Sequence, residues 1–390
     1  MLRNKRVWLK LTLAALGLAT GLLFAEGLLR AFGIGYPLPY APDEFCGTRL
    51  QAGVHGWWCK EGHAFFEVNR YGFRQGLREP RKPVGSFRVA VLGDSFVEAF
   101  QVPYEQSLCA VLEQELASCP SLAGRSVEVL NFGVSGYGTA QELLMLRHYV
   151  WDYEPDIVLL TFFAGNDLRN NARDLEPYQV RPFLCRANGA WVFDNSFREH
   201  PDYLRAGSAG VQWKVGLINR VRVLQLANEW LGRWRQPASE PPPAGQVGAG
   251  LNELALLPPR DAAWSEAWEV TEQLLGMCQR EARDHDARLF LVTLGQDLQV
   301  HPDQAVRVAC QRHLQVSDLG YAERRLKQFG QEHGFPVIDL SQPMRQSAEE
   351  HGVFLHGFDK AAPGWGHWNA AGHRLAARTI GAAVCAELPR

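Results

Sequence analysis

No sign of charge dominates this 390-residue chain: 40 Lys and Arg stand against 42 Asp and Glu, a formal net charge of −2, with the two signs interspersed. That balance excludes the basic stripe or tail by which proteins hold nucleic acid. No segment repeats at a fixed period, which excludes solenoids and propellers. No stretch carries the Gly-Lys-Ser/Thr ending of a phosphate loop or the glycine fingerprint of a dinucleotide site, and nothing implies a metal or other cofactor. Cysteine is sparse. Cys46, Cys59, Cys109, Cys119, Cys185, Cys278, Cys310 and Cys385 are scattered through a chain too large to be a disulfide-stapled mini-scaffold. Cys46 and Cys59 are the best-placed pair for a bridge, because they lie close together in a loop-like segment. Cys109 and Cys119 fall on one expected helix, about 15 Å apart and too far to join. Zinc ligation by Cys46, His55, Cys59 and His63 is the rival reading, but that spacing fits no common finger.

Long hydrophobic runs are also lacking, with one exception. Residues 11–25 carry no charge and are rich in Leu and Ala, and with residues 7–9 the apolar stretch approaches the roughly 20 residues that cross a bilayer. Arg3, Lys5, Arg6 and Lys10 precede or interrupt it, which sets the N-terminus in the cytoplasm and the remainder outside. A removed signal peptide is the alternative. Leu23-Phe24-Ala25 is a poor cleavage site, and Ala19-Thr20-Gly21 leaves only a short apolar core. No Cys follows the run, so a lipoprotein is not expected. Glu26 and Arg30 sit four apart, as a pair on an emerging helix would. The reading adopted is an uncleaved anchor over residues 1–33, then an irregular lead-in over 34–85 and a catalytic domain over 86–390.

About 355 residues beyond the anchor suffice for one large α/β domain with insertions. Its strands and helices alternate. Residues 87–92, 127–130, 157–163, 288–294 and 336–340 read as strands; 105–118, 139–150, 262–284, 321–333 and 369–385 read as helices, with Thr139 as an N-cap. Such alternation gives a parallel sheet with helices on both faces. An insertion separates the third and fourth strands, from about residue 168 to 261. Within it, residues 211–234 form an amphipathic stretch that is either a lid or packing helix or one lying on a membrane surface. The Pro-rich residues 236–245 suit neither helix nor strand.

Four glycine-containing exits from these elements carry chemistry. Gly93-Asp94-Ser95 follows the first strand, and a serine at the carboxyl end of a parallel strand is a candidate nucleophile; capping of the next helix by Asp94 or Ser95 is the plainer role. Gly133-Val134-Ser135-Gly136 follows the second strand and Gly165-Asn166-Asp167 the third. Gly366-His367-Trp368 precedes the last helix. In this order the four blocks resemble the SGNH (GDSL-like) hydrolase superfamily. The resemblance implies a flavodoxin-like sheet, with Ser95 as nucleophile and His367 as base. It also implies an oxyanion hole from the N–H of Ser95, the N–H of Gly136 and the amide of Asn166. Residues 69–74, Asn-Arg-Tyr-Gly-Phe-Arg, resemble the segment preceding the serine block in membrane-anchored bacterial members; here Tyr71 or Phe73 is expected to staple the lead-in to the core.

The chain departs from the family at one position. The usual acid lies three residues before the histidine, where this sequence has Gly364. Asp359 could loop back to His367, a backbone carbonyl could hold the imidazole instead, or catalysis could be lost. Trp365 and Trp368 flank the histidine and either contact substrate or pack its loop. The expected function is an outside-facing serine esterase acting on an acylated small molecule or polysaccharide of the envelope. The alternative is a non-catalytic glycan-binding protein on the same fold.

Overall fold

The computed structural model describes residues 2–235, 251–358 and 363–389. Helix α1 (Leu2–Ala31) opens the chain. Its stretch Lys5–Ala31 is long and apolar enough to span a membrane, and none of it is buried. The lead-in is more regular than expected, being two short hairpins: β1 (Tyr40–Asp43) with β2 (Gly47–Leu50), and β3 (His55–Trp58) with β4 (Ala64–Glu67). Strands of four residues interrupted by Gly, Pro and Trp leave no periodicity long enough to read.

The main domain starts at β5 (Ser86–Leu92), followed by the short α2 (Ser95–Glu98), α3 (Leu108–Ala117), β6 (Ser126–Asn131), α4 (Thr139–Met145), β7 (Ile157–Phe162) and α5 (Ala164–Asn171). The hairpin β8 (Phe183–Ala187) and β9 (Ala190–Asp194) follows, then α6 (Pro201–Gly207), α7 (Ala209–Arg220) and α8 (Arg222–Arg235). After α9 (Leu251–Leu254) come α10 (Ala262–Asp284), β10 (Arg288–Thr293), α11 (Asp297–Val300), α12 (Gln304–Leu314), α13 (Tyr321–His333), β11 (Val337–Asp339), α14 (Ser341–His351) and α15 (Ala370–Glu387). The expected helices at 262–284 and 321–333 form over those residues. Thr139 is not a cap: Gly138 holds that place, and the Thr139 hydroxyl accepts from Asn171 in the interior. The expected single helix at 211–234 breaks at Val221, whose backbone is extended. The Pro-rich stretch at 236–245 lies outside the described residues.

Five parallel strands form the sheet in the order β11-β10-β7-β5-β6, the flavodoxin-like arrangement. Every residue of β5 is buried, because helices cover both faces. Phe87, Val89 and Val91 pack on α3 and α15 on one side, and Ala90 and Leu92 pack toward α4 and α10 on the other. The order of strands reverses between β5 and β7, so loops leaving their carboxyl ends diverge to opposite faces and open a crevice.

A disulfide joins Cys119, after α3, to Cys385 in α15, with Cα atoms 5.9 Å apart and 266 residues between them in sequence. The expected Cys46–Cys59 bridge does not form. Cys46 is fully buried, and its thiol donates to the Gln141 carbonyl at 3.6 Å. The two histidines weighed as zinc ligands are engaged by other groups: His63 stacks on Trp57, and His55 meets the Arg222 guanidinium at 2.9 Å. Removing the bridge with Cys385→Ser is expected to lower unfolding free energy by about 2–5 kcal/mol, since a long loop is freed in the unfolded chain. Urea titration of wild type and variant, with and without reductant, measures it; reductant should leave the variant unchanged.

Candidate active site

The serine turn is braced from below by charge. The Asp94 carboxylate accepts from the Phe96 N–H at 2.9 Å, capping α2, and from the Asn166 side-chain amide at 2.8 Å. The plainer role considered for Asp94 is therefore filled, yet Ser95 still projects into a cleft. Burial pushes the Asp94 pKa up, against the pull of these two donors. The carbonyls at the end of α2 are taken up by Arg74, which donates to Glu98 at 2.9 Å, Ala99 at 2.5 Å and Val102 at 2.6 Å. This gives the Asn-Arg-Tyr-Gly-Phe-Arg segment its role. Phe73 staples it to the core edge-on to Phe132, and Arg74 fixes the helix that carries Ser95.

His367 Nε2 lies 2.7 Å from Ser95 Oγ. On the other side of the ring, Nδ1 lies 2.5 Å from Glu61 Oε2, while the His367 backbone N–H donates to Glu61 Oε1 at 2.8 Å. Glu61 stands in the loop between β3 and β4, in the lead-in, and sequence reasoning missed it. No local signal marks it: it precedes the serine, and only the folded hairpin brings it to the histidine. The loop ahead of His367 is pinned as well. The Gly366 N–H donates to Asp297 Oδ2 at 3.0 Å, and its carbonyl lies 2.6 Å from His356 Nδ1. Gly366 has φ +86°, and a Cβ there would stand 2.4 Å from Glu61 Oε1, so only glycine admits the carboxylate.

Burial by itself would lower the His367 pKa, but the hydrogen bond and charge of Glu61 outweigh it and leave the imidazole above its ordinary value. For Glu61, burial acts upward and the His367 contacts downward; the net shift is below the usual carboxylate range. The pair is thus a carboxylate holding an imidazole in one orientation, with Nε2 facing the serine. His373, by contrast, is buried, its Nδ1 accepts from the Leu108 N–H at 3.3 Å, and burial holds its pKa down at about 3.

Gly136 and Asn166 border the same cleft, whose volume is about 370 Å³. The Gly136 turn is held by Glu98, which accepts from the Ser135 N–H and from the Tyr40 hydroxyl, and by Arg181 on the Gly136 carbonyl at 2.8 Å. The Asn166 side-chain amide donates to Asp94 at the edge of the cleft. Asp167 and Glu142 are both pushed well above the usual carboxylate range, first by burial and then by charge: that of Asp94 acts on both, and that of Asp167 acts on Glu142 as well. The pair therefore holds less negative charge beneath this region than two ordinary carboxylates would.

One of the expected site residues falls elsewhere. Trp368 is 0% exposed and packs edge-on against Phe96, so it holds the histidine loop and touches no substrate. Trp365 does line the cleft, beside Phe96, Phe163, Arg169, Gln296 and Asp297. Asp359 lies outside the described residues; at His367 Nδ1 the acid present is Glu61. Gly364, in the place of the family's usual acid, has φ +87°, and a Cβ there would meet Phe354 at 2.8 Å. An aspartate at that position would be strained.

With this geometry in hand, residues 91–375 match the GDSL-like lipase/acylhydrolase family. The chain belongs to that family of ester hydrolases. An arylesterase of Vibrio mimicus is 29% identical to this GDSL-like chain over 120 residues, 30% of this chain and 58% of the relative, so the match spans little more than half of the relative's length. Among solved structures, the acetyl xylan esterase AlAXEase aligns over 76% of this chain and 100% of its own at 11% identity and a TM-score of 0.39. The acetylxylan esterase Axe2 from Geobacillus stearothermophilus aligns over 76% and 94% at 12% identity and a TM-score of 0.36.

The Glu61–His367 contact makes a direct prediction. Nuclear magnetic resonance titration should place His367 above the ordinary histidine value of about 6.5, and Glu61→Gln should bring it down, because burial then acts without the opposing charge. Gly366→Ala should have the same effect by pushing the carboxylate away. A His367 pKa unmoved by both changes would show that the pair is not formed.

Proposed function

We propose that the protein is a membrane-anchored, outside-facing serine esterase that removes or transfers an acyl group, such as acetyl, on an envelope glycan or another polar acylated substrate. The observation that carries the reading is the continuous line Ser95–His367–Glu61. In it, Ser95 Oγ attacks the acyl carbonyl while its proton passes to His367 Nε2, and the negative charge of Glu61 stabilises the imidazolium that results. The N–H groups of Ser95 and Gly136 and the side-chain amide of Asn166 take the oxyanion. Collapse breaks the ester C–O bond, the leaving alkoxide takes the proton from Nε2, and water, deprotonated by the same nitrogen, releases the acid. Transfer would replace that water by an acceptor hydroxyl.

The cleft lining supports a polar substrate. Arg169, Glu253, Gln296 and Asp297 stand among the aromatic rings of Phe96, Phe163 and Trp365, a composition suited to a polar group carried on a ring-stacking face, as on a sugar bearing a short acyl group. The retained anchor is supported by bonds that a discarded leader would have no use for. Glu26 accepts from the backbone N–H groups of Arg222 and Val223, and Arg30 donates to the Arg220 carbonyl. An outside location agrees with the basic residues ahead of the span and with the Cys119–Cys385 bridge, which suits an oxidising compartment. The non-catalytic alternative drew its weight from Gly364, and a carboxylate from another part of the chain removes that weight.

Fluorophosphonate labelling and turnover of a short-chain nitrophenyl ester test the reading. Ser95→Ala should abolish labelling, and Glu61→Gln should lower kcat/KM by ~10²- to 10⁴-fold, with the acidic limb of the pH profile shifted to lower pH as the His367 pKa falls. Asp359→Asn should change little. Loss on Asp359→Asn with Glu61→Gln unaffected would reassign the acid, and wild type that neither labels nor turns over would sink the enzyme reading.

A further inference from the structure

Helix α8 is built inside out. At about 100° per residue, Leu226, Ala227, Trp230, Leu231 and Trp234 share one side, and Gln225, Asn228, Glu229 and Gly232 the other. In a soluble protein the first set would face the core. Here Leu226 is 43% exposed, Trp230 56% and Trp234 76%, while Gln225 is 0% exposed. The polar side is the one turned inward. Gln225 Oε1 accepts from the Tyr36 N–H at 2.9 Å, and Asn228 and Glu229 line a cleft against Tyr36–Tyr40 and Trp57. Helix α7 repeats the pattern: Asn219 exchanges hydrogen bonds with the backbone of Leu38, and Trp213 is left 71% exposed.

The position of α8 relative to α1 says what covers this face. Glu26 is the first charged residue after the uncharged run of α1, so its carboxylate marks where the span leaves hydrocarbon. That carboxylate binds the first two N–H groups of α8, at 3.1 Å and 3.0 Å. The start of α8 is thereby fixed at the height of the membrane boundary. In sequence, α7 and α8 carry Lys214, Arg220, Arg222, Arg233 and Arg235 against Glu229, which complements anionic headgroups. Exposed Trp beside Leu, with an excess of basic charge, is the composition of a helix lying in the interfacial layer.

We infer that α7 and α8 form a second membrane contact, lying in the interface of an anionic bilayer beside the exit of α1. This rests on the reading of α1 as a retained span. Its consequence is orientation. Arg222, at the start of α8, contacts His55 of β3, and the β3–β4 loop carries Glu61. A span alone leaves a domain free to swivel and tilt; a span with an in-plane helix fixed to the Glu61 hairpin holds the cleft at one height and heading above the bilayer.

The test uses the full chain in nanodiscs of phosphatidylethanolamine and phosphatidylglycerol, with Cys59→Ser and Cys185→Ser to quiet the partly exposed thiols. An environment-sensitive nitrobenzoxadiazole label is placed in turn through Leu226→Cys, Trp230→Cys and Trp213→Cys. Leu16→Cys, in mid-span, and Gln328→Cys, on α13, serve as references, and fluorophosphonate labelling checks that each variant is folded. The labels on α7 and α8 should emit at shorter wavelength than the Gln328→Cys label and lose intensity when the lipid tails are brominated, as the Leu16→Cys label does. If the Leu16→Cys label is quenched by brominated tails and those on α7 and α8 are not, the docking surface is refuted while the span stands. Emission shifted without quenching would mean that protein covers the face, and refutes it equally. If the Leu16→Cys label is not quenched either, the anchor reading fails and takes this inference with it.

Discussion

The contact on which the rest depends is the carboxylate of Glu61 against the imidazole of His367, two groups 306 residues apart in sequence. Holding them together demands that three otherwise separate parts of the chain be registered on one another. The β3–β4 hairpin must sit over the carboxyl edge of the sheet, the loop before α15 must be free of side chains where the carboxylate passes, and the serine helix must be set at a fixed height between them. Each demand has a visible solution: Arg74 under the end of α2, glycine at position 366, and the interior packing of Trp368 on Phe96. None of these three touches the reacting atoms. They set the distances on which a hydrogen-bonded relay depends, where an error of about 1 Å is costly.

Much of this was legible before any coordinates, and what was legible shares a physical trait. Buried parallel strands write long apolar runs, and long amphipathic helices write a 3.6-residue period, so β5, β7, α10 and α13 could be read nearly to the residue. Strand ends followed by glycine pointed to Ser95, Gly136 and Asn166, which border one cleft. The failures share the opposite trait. The lead-in hairpins consist of four-residue strands, too short to show alternation, and the carboxylate that meets His367 stands in the loop of one of them. A carboxylate that acts through a tertiary contact leaves no spacing rule with its histidine. Gly364 shows that the usual place is empty, and nearness in sequence points to Asp359 or a backbone carbonyl, while nothing local points to Glu61, the carboxylate found at His367 Nδ1. The disulfide failed in the same way: nearness in sequence favoured Cys46 with Cys59, while packing of α3 on α15 decided for Cys119 with Cys385.

The lead-in emerges as the hinge of the architecture. It is continuous with α1, bonded to α7 and α8 through Tyr36 and Leu38, stapled to the core through Phe73, and it delivers Glu61. The helices bonded to α1 and the Ser95 cleft therefore share one short piece of chain. Disturbance on either side has a direct mechanical route to the other.

The covalent link between α3 and α15 has a consequence for how the chain matures. On the outside placement proposed above, the chain enters an oxidising space N-terminus first, so Cys119 waits for a partner 266 residues behind it, and Cys185, Cys278 and Cys310 all arrive sooner. Each is a wrong partner until folding buries Cys278 and Cys310 and brings α3 against α15. On that placement, maturation becomes a problem of thiol reshuffling, governed by the supply of disulfide isomerase rather than of oxidant alone.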